Sequence, residues 1–206
     1  IYFGEEWLGS VEDNFKGSYG KLAECFQKSN PIRVIAFQAE NLDKVSKLKS
    51  KIRTIFNLGK HSIHITDSKE EAVRIAKVVF NNNSIHFLNH AKPNNHLSTH
   101  KKIRKYREFL DFNNLKEVDV LLVSSMVLSI YGLREAKDTD FFCAKKNIVK
   151  RKAKNISKHD KELRFYQKQK NELIYNPENY FYFNNLKFMS FDLLYRMKKN
   201  RAEIKD

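Results

Sequence analysis

Two aspartates separated by one residue, Asp138 and Asp140, form the pair whose spacing most clearly indicates chemistry. They precede Phe141 and Phe142, in a pattern typical of a β-strand. Because side chains alternate across a strand, we expect both carboxylates to project from one face. Such carboxylates repel each other unless a cation lies between them, and their oxygens suit Mg²⁺ or Mn²⁺. The spacing therefore predicts Asp138 and Asp140 as catalytic residues that bind a metal ion.

Two serines precede this pair at a predicted helix N-terminus. Residues 121–123 are apolar like a buried strand, Ser124 and Ser125 follow them, and an apolar helix then runs to Gly132. Hydroxyls and free backbone N–H groups at a helix N-terminus favour an anion such as a triphosphate. A phosphate-binding turn facing a metal-binding carboxylate pair is what phosphoryl or nucleotidyl transfer requires. The alternative is a surface turn in which Lys137 pairs with the aspartates and nothing binds.

Residues around the aspartates and near the end of the chain form a recognisable pattern. The first group comprises Ser125, Leu128, Tyr131, Gly132, Arg134, Asp138, Asp140 and Phe141. The second group comprises Pro177, Tyr180, Phe181, Tyr182, Phe183, Leu186, Lys187, Phe188, Met197, Lys198, Arg201, Lys205 and Asp206. This pattern resembles that of nucleotidyltransferases related to DNA polymerase β, specifically their small bacterial branch. The resemblance extends over roughly the second half of the chain, residues 100–206.

The resemblance implies a reaction and a set of site residues. The expected reaction is Mg²⁺-dependent transfer of a nucleotidyl or phosphate-linked group from an NTP or nucleotide donor to a hydroxyl acceptor. Nucleotide-binding roles are implied for Ser124, Ser125, Arg134, Lys198 and Arg201. For the third catalytic carboxylate, Asp160 is the first choice, with Glu162 and Glu172 as alternatives. Ser124 occupies the position where the pattern has glycine, so we expect its Cβ to crowd the phosphate-binding turn.

The charge balance predicts an anionic partner. The chain has 206 residues and a net charge of +15, which favours a nucleotide, nucleic acid, phosphorylated glycan or acidic membrane surface. Lysines and arginines are dense over 145–170, either as a solvated segment or as a funnel for an anionic substrate. Cys25 and Cys143 provide no disulfide framework and fit a cytoplasmic protein. No apolar run is long enough to span a bilayer.

The N-terminal half predicts a separate small α/β domain. Its strands are predicted at 32–37, 61–66 and 84–88. One helix is expected to begin after Asn41, and a second with the capping pair Ser68 and Glu71. The resulting β-α-β-α-β order implies a small, mostly parallel sheet. On this assignment His86 and His90 are edge or loop residues without metal-ligand spacing.

A proline and two asparagines within 91–95 mark the best linker. We therefore predict an α/β (α+β) protein with a small α/β domain at 1–92 and a nucleotidyltransferase-like domain at 96–206. The second domain is expected to have a mixed sheet flanked by helices. The chain begins at Ile1 rather than methionine, so we also expect it to be part of a longer protein.

Three functional hypotheses remain open at this point. The order of a small α/β domain followed by the transferase resembles proteins of bacterial surface-glycan (polysaccharide) biosynthesis, in which sugars or polyols receive phosphate-linked groups. One alternative is a nucleotidyltransferase of toxin–antitoxin type that acts on tRNA or protein. The other is a catalytically inactive domain that binds a polyanion through the basic segment after Ala144. Metal-dependent nucleotide binding distinguishes an enzyme from the polyanion-binding domain.

Overall fold

The fold is described from a computed structural model for residues 13, 15–25, 31–57, 59–144 and 149–203. The chain divides into two compact units, Ile1–Ala76 and Lys77–Asp206. Some predicted features lie outside the described residues, namely Lys145, Lys146, Lys205 and Asp206.

The first unit is helical over its described elements, with a 3₁₀ turn at Gly59–His61. Its α-helices are α1 (Lys16–Cys25), α2 (Leu42–Phe56) and α3 (Lys69–Val79), of which α3 continues into the second unit. The two predicted helix starts are confirmed. The Asn41 side chain accepts a hydrogen bond from the Lys44 N–H at 3.0 Å, and Ser68 Oγ accepts one from the Glu71 N–H at 3.1 Å. These hydrogen bonds satisfy N–H groups that have no partner within the helix.

The two strands predicted in this unit are wrong. Residues 31–39 and 63–66 form no strand in the structure. Ile32 and Ile35 are each 71% exposed, so their side chains find no apolar surface to cover. Strand preference is realised through packing against neighbouring strands, and here the described residues provide none.

The third predicted strand, 84–88, is also wrong, because these residues lie within helix α4 (Asn82–His90). The side chain of Asn81 caps this helix by accepting a hydrogen bond from the Ser84 N–H at 2.7 Å. The buried residues Ser84 and Phe87 are three positions apart, which is a helical rather than a strand period. The predicted β-α-β-α-β arrangement is therefore not formed.

The second unit is built on a five-stranded mixed sheet, which confirms a mixed α/β fold. Its strands are β1 (Val120–Val123), β2 (Thr139–Cys143), β3 (Ile156–Lys158), β4 (Tyr180–Phe183) and β5 (Leu186–Met189), in the order β3-β2-β1-β5-β4. The central strand β1 runs antiparallel to β2 and parallel to β5. All four residues of β1 are buried, so the core of this unit is centred on it.

Helices and 3₁₀ turns complete the second unit. Besides α4, the helices are α5 (Ser98–Phe112), α6 (Ser125–Ile130), α7 (Lys170–Tyr175) and α8 (Phe191–Arg201). The 3₁₀ turns lie at Glu117–Asp119, Asp160–Tyr166 and Pro177–Asn179. The sequence of residues 101–110 predicts an amphipathic helix with Ile103, Tyr106, Phe109 and Leu110 on one face. This prediction is confirmed by α5, in which these four residues are buried.

Tyr131 and Gly132 connect α4 and its following loop to the rest of the second unit. The Tyr131 ring contacts Phe87 of α4 edge-on, with centroids 5.2 Å apart. Gly132 has φ +78°, and a Cβ at this position would lie 2.4 Å from the Lys92 carbonyl oxygen. The division at 76–77 therefore keeps residues 77–95 with the sheet, whereas the sequence indicated a linker at 91–95. The independent folding of 1–92 and 96–206 as two domains stays a prediction.

Replacing Gly132 with alanine tests this close approach. We expect Gly132→Ala to lower the free energy of unfolding by about 2–5 kcal/mol, because it combines an unfavourable φ with a steric clash. Gly59→Ala is the matched control, since Gly59 has φ +58° but no atom of the described residues lies within 4 Å of the added Cβ. Urea unfolding followed by circular dichroism measures both variants. An equal loss in the two would contradict the contact with Lys92.

Candidate functional site

The aspartate pair lies at the start of β2, between α6 and β3. Asp138 precedes the strand and is exposed, whereas the Asp140 side chain is only 14% exposed. Ser125, the first residue of α6, donates from Oγ to Asp138 Oδ1 at 3.0 Å. Ser157 of β3 donates from Oγ to Asp140 Oδ1 at 2.9 Å. One oxygen of each carboxylate is thus oriented by a hydroxyl from a neighbouring element.

The negative charge at this site is only partly compensated. Burial raises the pKa of Asp140, and the carboxylates of Asp138 and Glu162 raise it further. The hydrogen bond from Ser157 and the nearby His159 act in the opposite direction. The charge of Asp138 therefore acts on Asp140. A cation would relieve this unfavourable charge.

His159 is a buried member of the site that the sequence did not single out. Its side chain is 8% exposed, and its Nδ1 lies 3.6 Å from Asp140 Oδ2. Its Nε2 is buried and has no hydrogen-bond partner among the described residues. Burial lowers the pKa of His159, while the carboxylates of Asp140 and Glu162 raise it. A single histidine after a short strand carries no motif, so only the fold could reveal its position.

The three candidates for a third carboxylate have different surroundings. Asp160 accepts a hydrogen bond from Lys170 Nζ at 2.9 Å, in an ion pair at the surface. Glu172 lies on α7 and pairs with a lysine one turn earlier. Glu162 instead lies 3.6 Å from Arg201, and its charge acts on Asp140. Glu162 is therefore the candidate that is electrostatically linked to the aspartate pair, while the catalytic role of Asp160 stays a prediction.

The aspartate pair offers oxygen ligands for a metal ion but not a complete set of protein ligands. Among the described residues, no group of three or more His, Cys, Asp or Glu side chains could hold a metal. Mg²⁺ at nucleotide sites is usually bound by one or two carboxylates, with phosphate oxygens and waters as the other ligands. Asp138 and Asp140 meet that requirement, and their partly uncompensated charge favours it. They do not form a protein cage for a permanently bound ion.

Ser124 adopts the backbone conformation for which glycine is suited. Its φ is 56° and its ψ is −132°, a region that residues with a Cβ seldom occupy. Its side chain makes no capping hydrogen bond to α6. Strain of this type costs about 1–3 kcal/mol and persists only where the surrounding structure enforces it. Ser124 therefore adopts, under strain, a conformation that the glycine of the pattern would adopt freely.

The other residues expected to bind a nucleotide differ in their burial and in their link to the aspartate pair. Arg201 at the end of α8 is 9% exposed, and its guanidinium lies 3.6 Å from both Glu162 and Glu203. Lys198 lies one turn earlier on α8 and is half-buried. Arg134 lies between α6 and β2 and is exposed. Arg201 is therefore linked to the aspartates through Glu162.

Some residues of the sequence pattern have structural explanations. Tyr131 and Gly132 hold α4 and its following loop, as described above. Lys187 is buried and donates from Nζ to the carbonyl oxygens of Val118, at 2.6 Å, and Ile174. Burial lowers the pKa of Lys187 to about 8. These residues stabilise the fold around the site.

In the basic segment, Arg151 packs against the fold, whereas neighbouring lysines are exposed to solvent. The Arg151 guanidinium packs over the Phe112 ring, 4.5 Å from its centroid, and the Arg151 N–H donates to Asn113 Oδ1 at 3.0 Å. Three neighbouring lysines are exposed, namely Lys150, Lys152 and Lys154. Exposed side chains such as these are suited to attract an anionic substrate through solvent.

Comparisons with models of protein families, with curated proteins and with solved structures found no match for this chain. In the described residues, no helix combines the length and the apolar character that crossing a membrane requires. A functional assignment therefore depends on the geometry of the site and on the residue pattern around it. The cytoplasmic location stays a prediction.

Neutralising Asp140 tests whether its charge is unfavourable in the absence of a metal. The pKa of Asp140 is raised in the folded protein, so the folded state is favoured while this carboxyl is protonated. This stabilisation is fully present at pH values below the usual pKa of an aspartate and is lost as the pH rises. We expect Asp140→Asn, which can still accept from Ser157, to melt roughly 2–4 °C above wild type at pH 7 in EDTA. The difference should disappear near pH 4.

Asp160→Asn is the matched control for this measurement. It also neutralises one carboxylate, but it breaks the ion pair with Lys170 and should bring no gain in melting temperature. If Asp140→Asn is less stable than wild type at pH 7, the surroundings of Asp140 are net attractive to its charge, and the argument for a cation fails.

Proposed function

We propose that the second unit is a Mg²⁺-dependent nucleotidyltransferase-like enzyme. It transfers a nucleotidyl or phosphate-linked group from an NTP or nucleotide-linked donor to a hydroxyl acceptor. The observation that supports this most is the pair Asp138 and Asp140, each oriented by a serine hydroxyl, at a position where their charge is only partly compensated. Mn²⁺ would accept the same oxygen ligands.

Several residues near the pair have a role in this proposal. Asp138 and Asp140 hold the metal, while Ser125 and Ser157 keep the carboxylates oriented. When bound, Mg²⁺ neutralises charge on the phosphate oxygens and on the leaving group. The acceptor hydroxyl attacks the phosphorus in line, and pyrophosphate leaves when the donor is an NTP. The proton of that hydroxyl passes to a third carboxylate, Asp160 or Glu162, and the link of Glu162 to Asp140 favours Glu162.

Positive charge near the pair would bind the donor phosphates. Arg201, held beside Glu162, is the best supported of these residues, and Lys198 precedes it by one turn on α8. The turn at Ser124 and Ser125 would face the phosphates with its backbone N–H groups. Arg134 is exposed and would reach an anionic group from the loop before β2. Because the protein does little covalent chemistry in such transfers, positioning and charge neutralisation supply most of the rate.

For the acceptor, we propose a sugar or polyol hydroxyl in the assembly of a surface polysaccharide. This proposal comes from the resemblance in domain order that the sequence indicated, although the strands predicted for the small α/β domain are not formed. A tRNA or protein hydroxyl, as in toxin–antitoxin nucleotidyltransferases, is the alternative within the same reaction class. The net charge of +15 agrees with either, because both a phosphorylated glycan carrier and tRNA are anionic.

A second candidate function is supported by the conformation of Ser124. If the strained turn and its Cβ exclude phosphates, the second unit is an inactive domain that binds polyanions through its exposed lysines. Such binding needs no metal and weakens steeply with salt. Mg²⁺ dependence therefore separates the two candidates.

Thermal shift with nucleotides tests the proposed reaction class. We expect an NTP to raise the melting temperature of wild type only when Mg²⁺ is present. Asp138→Asn and Asp140→Asn should abolish both this shift and any transfer, because each removes a metal ligand. Asp192→Asn is the control, since Asp192 is exposed on α8 and pairs with Arg196 at 2.8 Å. A shift that survives in both site variants would refute the metal assignment.

The exposed lysines of the basic segment provide another test. Replacing Lys150, Lys152 and Lys154 together with serine should slow productive binding of an anionic substrate at low salt. The difference should fade towards about 0.5 M salt, where screening reaches only a few Å. Turnover at saturating substrate should barely change, because these residues are not assigned to the transition state. Arg151 is left intact because it packs on Phe112.

Loss of turnover at saturation, independent of salt, would contradict this steering role. It would mean that one of these lysines contacts the transferred phosphate directly. Stopped-flow binding and steady-state kinetics measured at the same salt concentrations distinguish the two results.

A further inference from the structure

Helix α4 carries two exposed histidines one turn apart. His86 and His90 are separated by four positions, and their ring centroids lie 4.5 Å apart. The sequence predicted a strand here, in which residues four apart are separated by about 13 Å. In a helix the same spacing is about 6 Å along the axis, on one face. The helical conformation of this segment therefore creates a pair that its predicted strand would not.

The separation of the two rings is suitable for sharing one metal ion. Zinc binds imidazole nitrogen at about 2.0–2.1 Å, and two such rings at bond angles of roughly 90–110° have centroids roughly 4.5–5 Å apart. The observed distance of 4.5 Å lies at the lower end of this range. Binding would thus require little rearrangement of His86 and His90.

The ring of His86 is oriented by two aromatic neighbours, Tyr131 and Phe191. Its Nδ1 lies 3.0 Å from the hydroxyl oxygen of Tyr131, which is only 5% exposed. The rings of His86 and Phe191 are stacked, with centroids 6.4 Å apart. Burial raises the pKa of Tyr131, so the phenol stays neutral and its oxygen can accept a hydrogen bond. Histidines that bind a metal commonly donate their second ring N–H in this way, which leaves Nε2 for the ion.

We propose that His86 and His90 form a binding site for one Zn²⁺ ion or a similar transition-metal ion such as Ni²⁺ or Cu²⁺. Imidazole nitrogen favours these ions, whereas Mg²⁺ prefers oxygen. No third His, Cys, Asp or Glu joins the pair within the described residues, so coordination positions are open to water or a ligand. Tyr131 is a positioning residue that acts through His86.

This site is distinct from the aspartate pair. Tyr131 directly follows α6, and Ser125 at the other end of that helix bonds to Asp138. A helix of six residues separates the two ends by roughly 9 Å. The proposed Zn²⁺ site therefore neither depends on the proposed transferase activity nor shares a ligand with it.

Calorimetric titration of the full chain with ZnCl₂ tests the proposal. We expect wild type to contain a Zn²⁺ site whose affinity falls more than tenfold in both His86→Ala and His90→Ala. Tyr131→Phe should keep the ring packing and weaken binding by roughly tenfold, because the second ring nitrogen of His86 loses its partner. His61→Ala is the control, since His61 Nδ1 lies 3.8 Å from Cys25 Sγ and could bind zinc independently. This variant should leave the site unchanged.

The proposal is overturned if Zn²⁺ does not bind at millimolar concentration, or if every Zn²⁺ site of wild type keeps its affinity in both His86→Ala and His90→Ala. It is also overturned if His61→Ala alone removes the site. Circular dichroism checks that each variant is folded. If His86→Ala unfolds because it loses its contact with Phe191, His90→Ala at the exposed end of α4 decides the result.

Discussion

The antiparallel pairing of β1 with β2 is the constraint on which the candidate site depends. Its register places Val123 opposite Asp140, and β1 passes into α6 immediately after Val123. Ser125 is thereby brought to Asp138, although thirteen positions separate them in the chain. A shift of one residue in this register would exchange the two faces of β2 and move Asp140 to the face on which Phe141 packs. The burial of Phe141 and Phe142 makes that shift unfavourable, so the core determines where the carboxylates point.

Around this pair, the charged groups are arranged so that some carboxylates are neutralised and others are not. Asp160 forms an ion pair with Lys170, and Glu162 forms one with Arg201. Asp140 has hydroxyl and imidazole neighbours instead, and its pKa is raised. Partly buried carboxylates with perturbed pKa values are frequent at functional sites, although structural networks produce them too. The serine hydroxyls that orient both aspartates favour the functional interpretation.

The histidine pair depends on a different feature, the conformation of residues 82–90. Short apolar runs do not distinguish a strand from a buried helix segment by period alone. Two contacts distant in sequence favour the helix here. The Asn83 side chain donates to the Glu178 carbonyl oxygen at 2.9 Å, and Phe87 stacks on Phe181 with centroids 4.6 Å apart. Packing against β4 and the turn before it thus places His86 and His90 on one exposed face.

Several features were determined by the sequence alone, because they depend on residues close together in the chain. These are the strand that carries Asp140, the capped helices after Asn41 and Ser68, and the amphipathic helix α5. Only the tertiary structure decided the strand order, the approach of Ser157 and His159 to Asp140, and the link from Arg201 through Glu162. The physical reason is that these contacts join distant segments, and their geometry follows from how the whole core packs around β1.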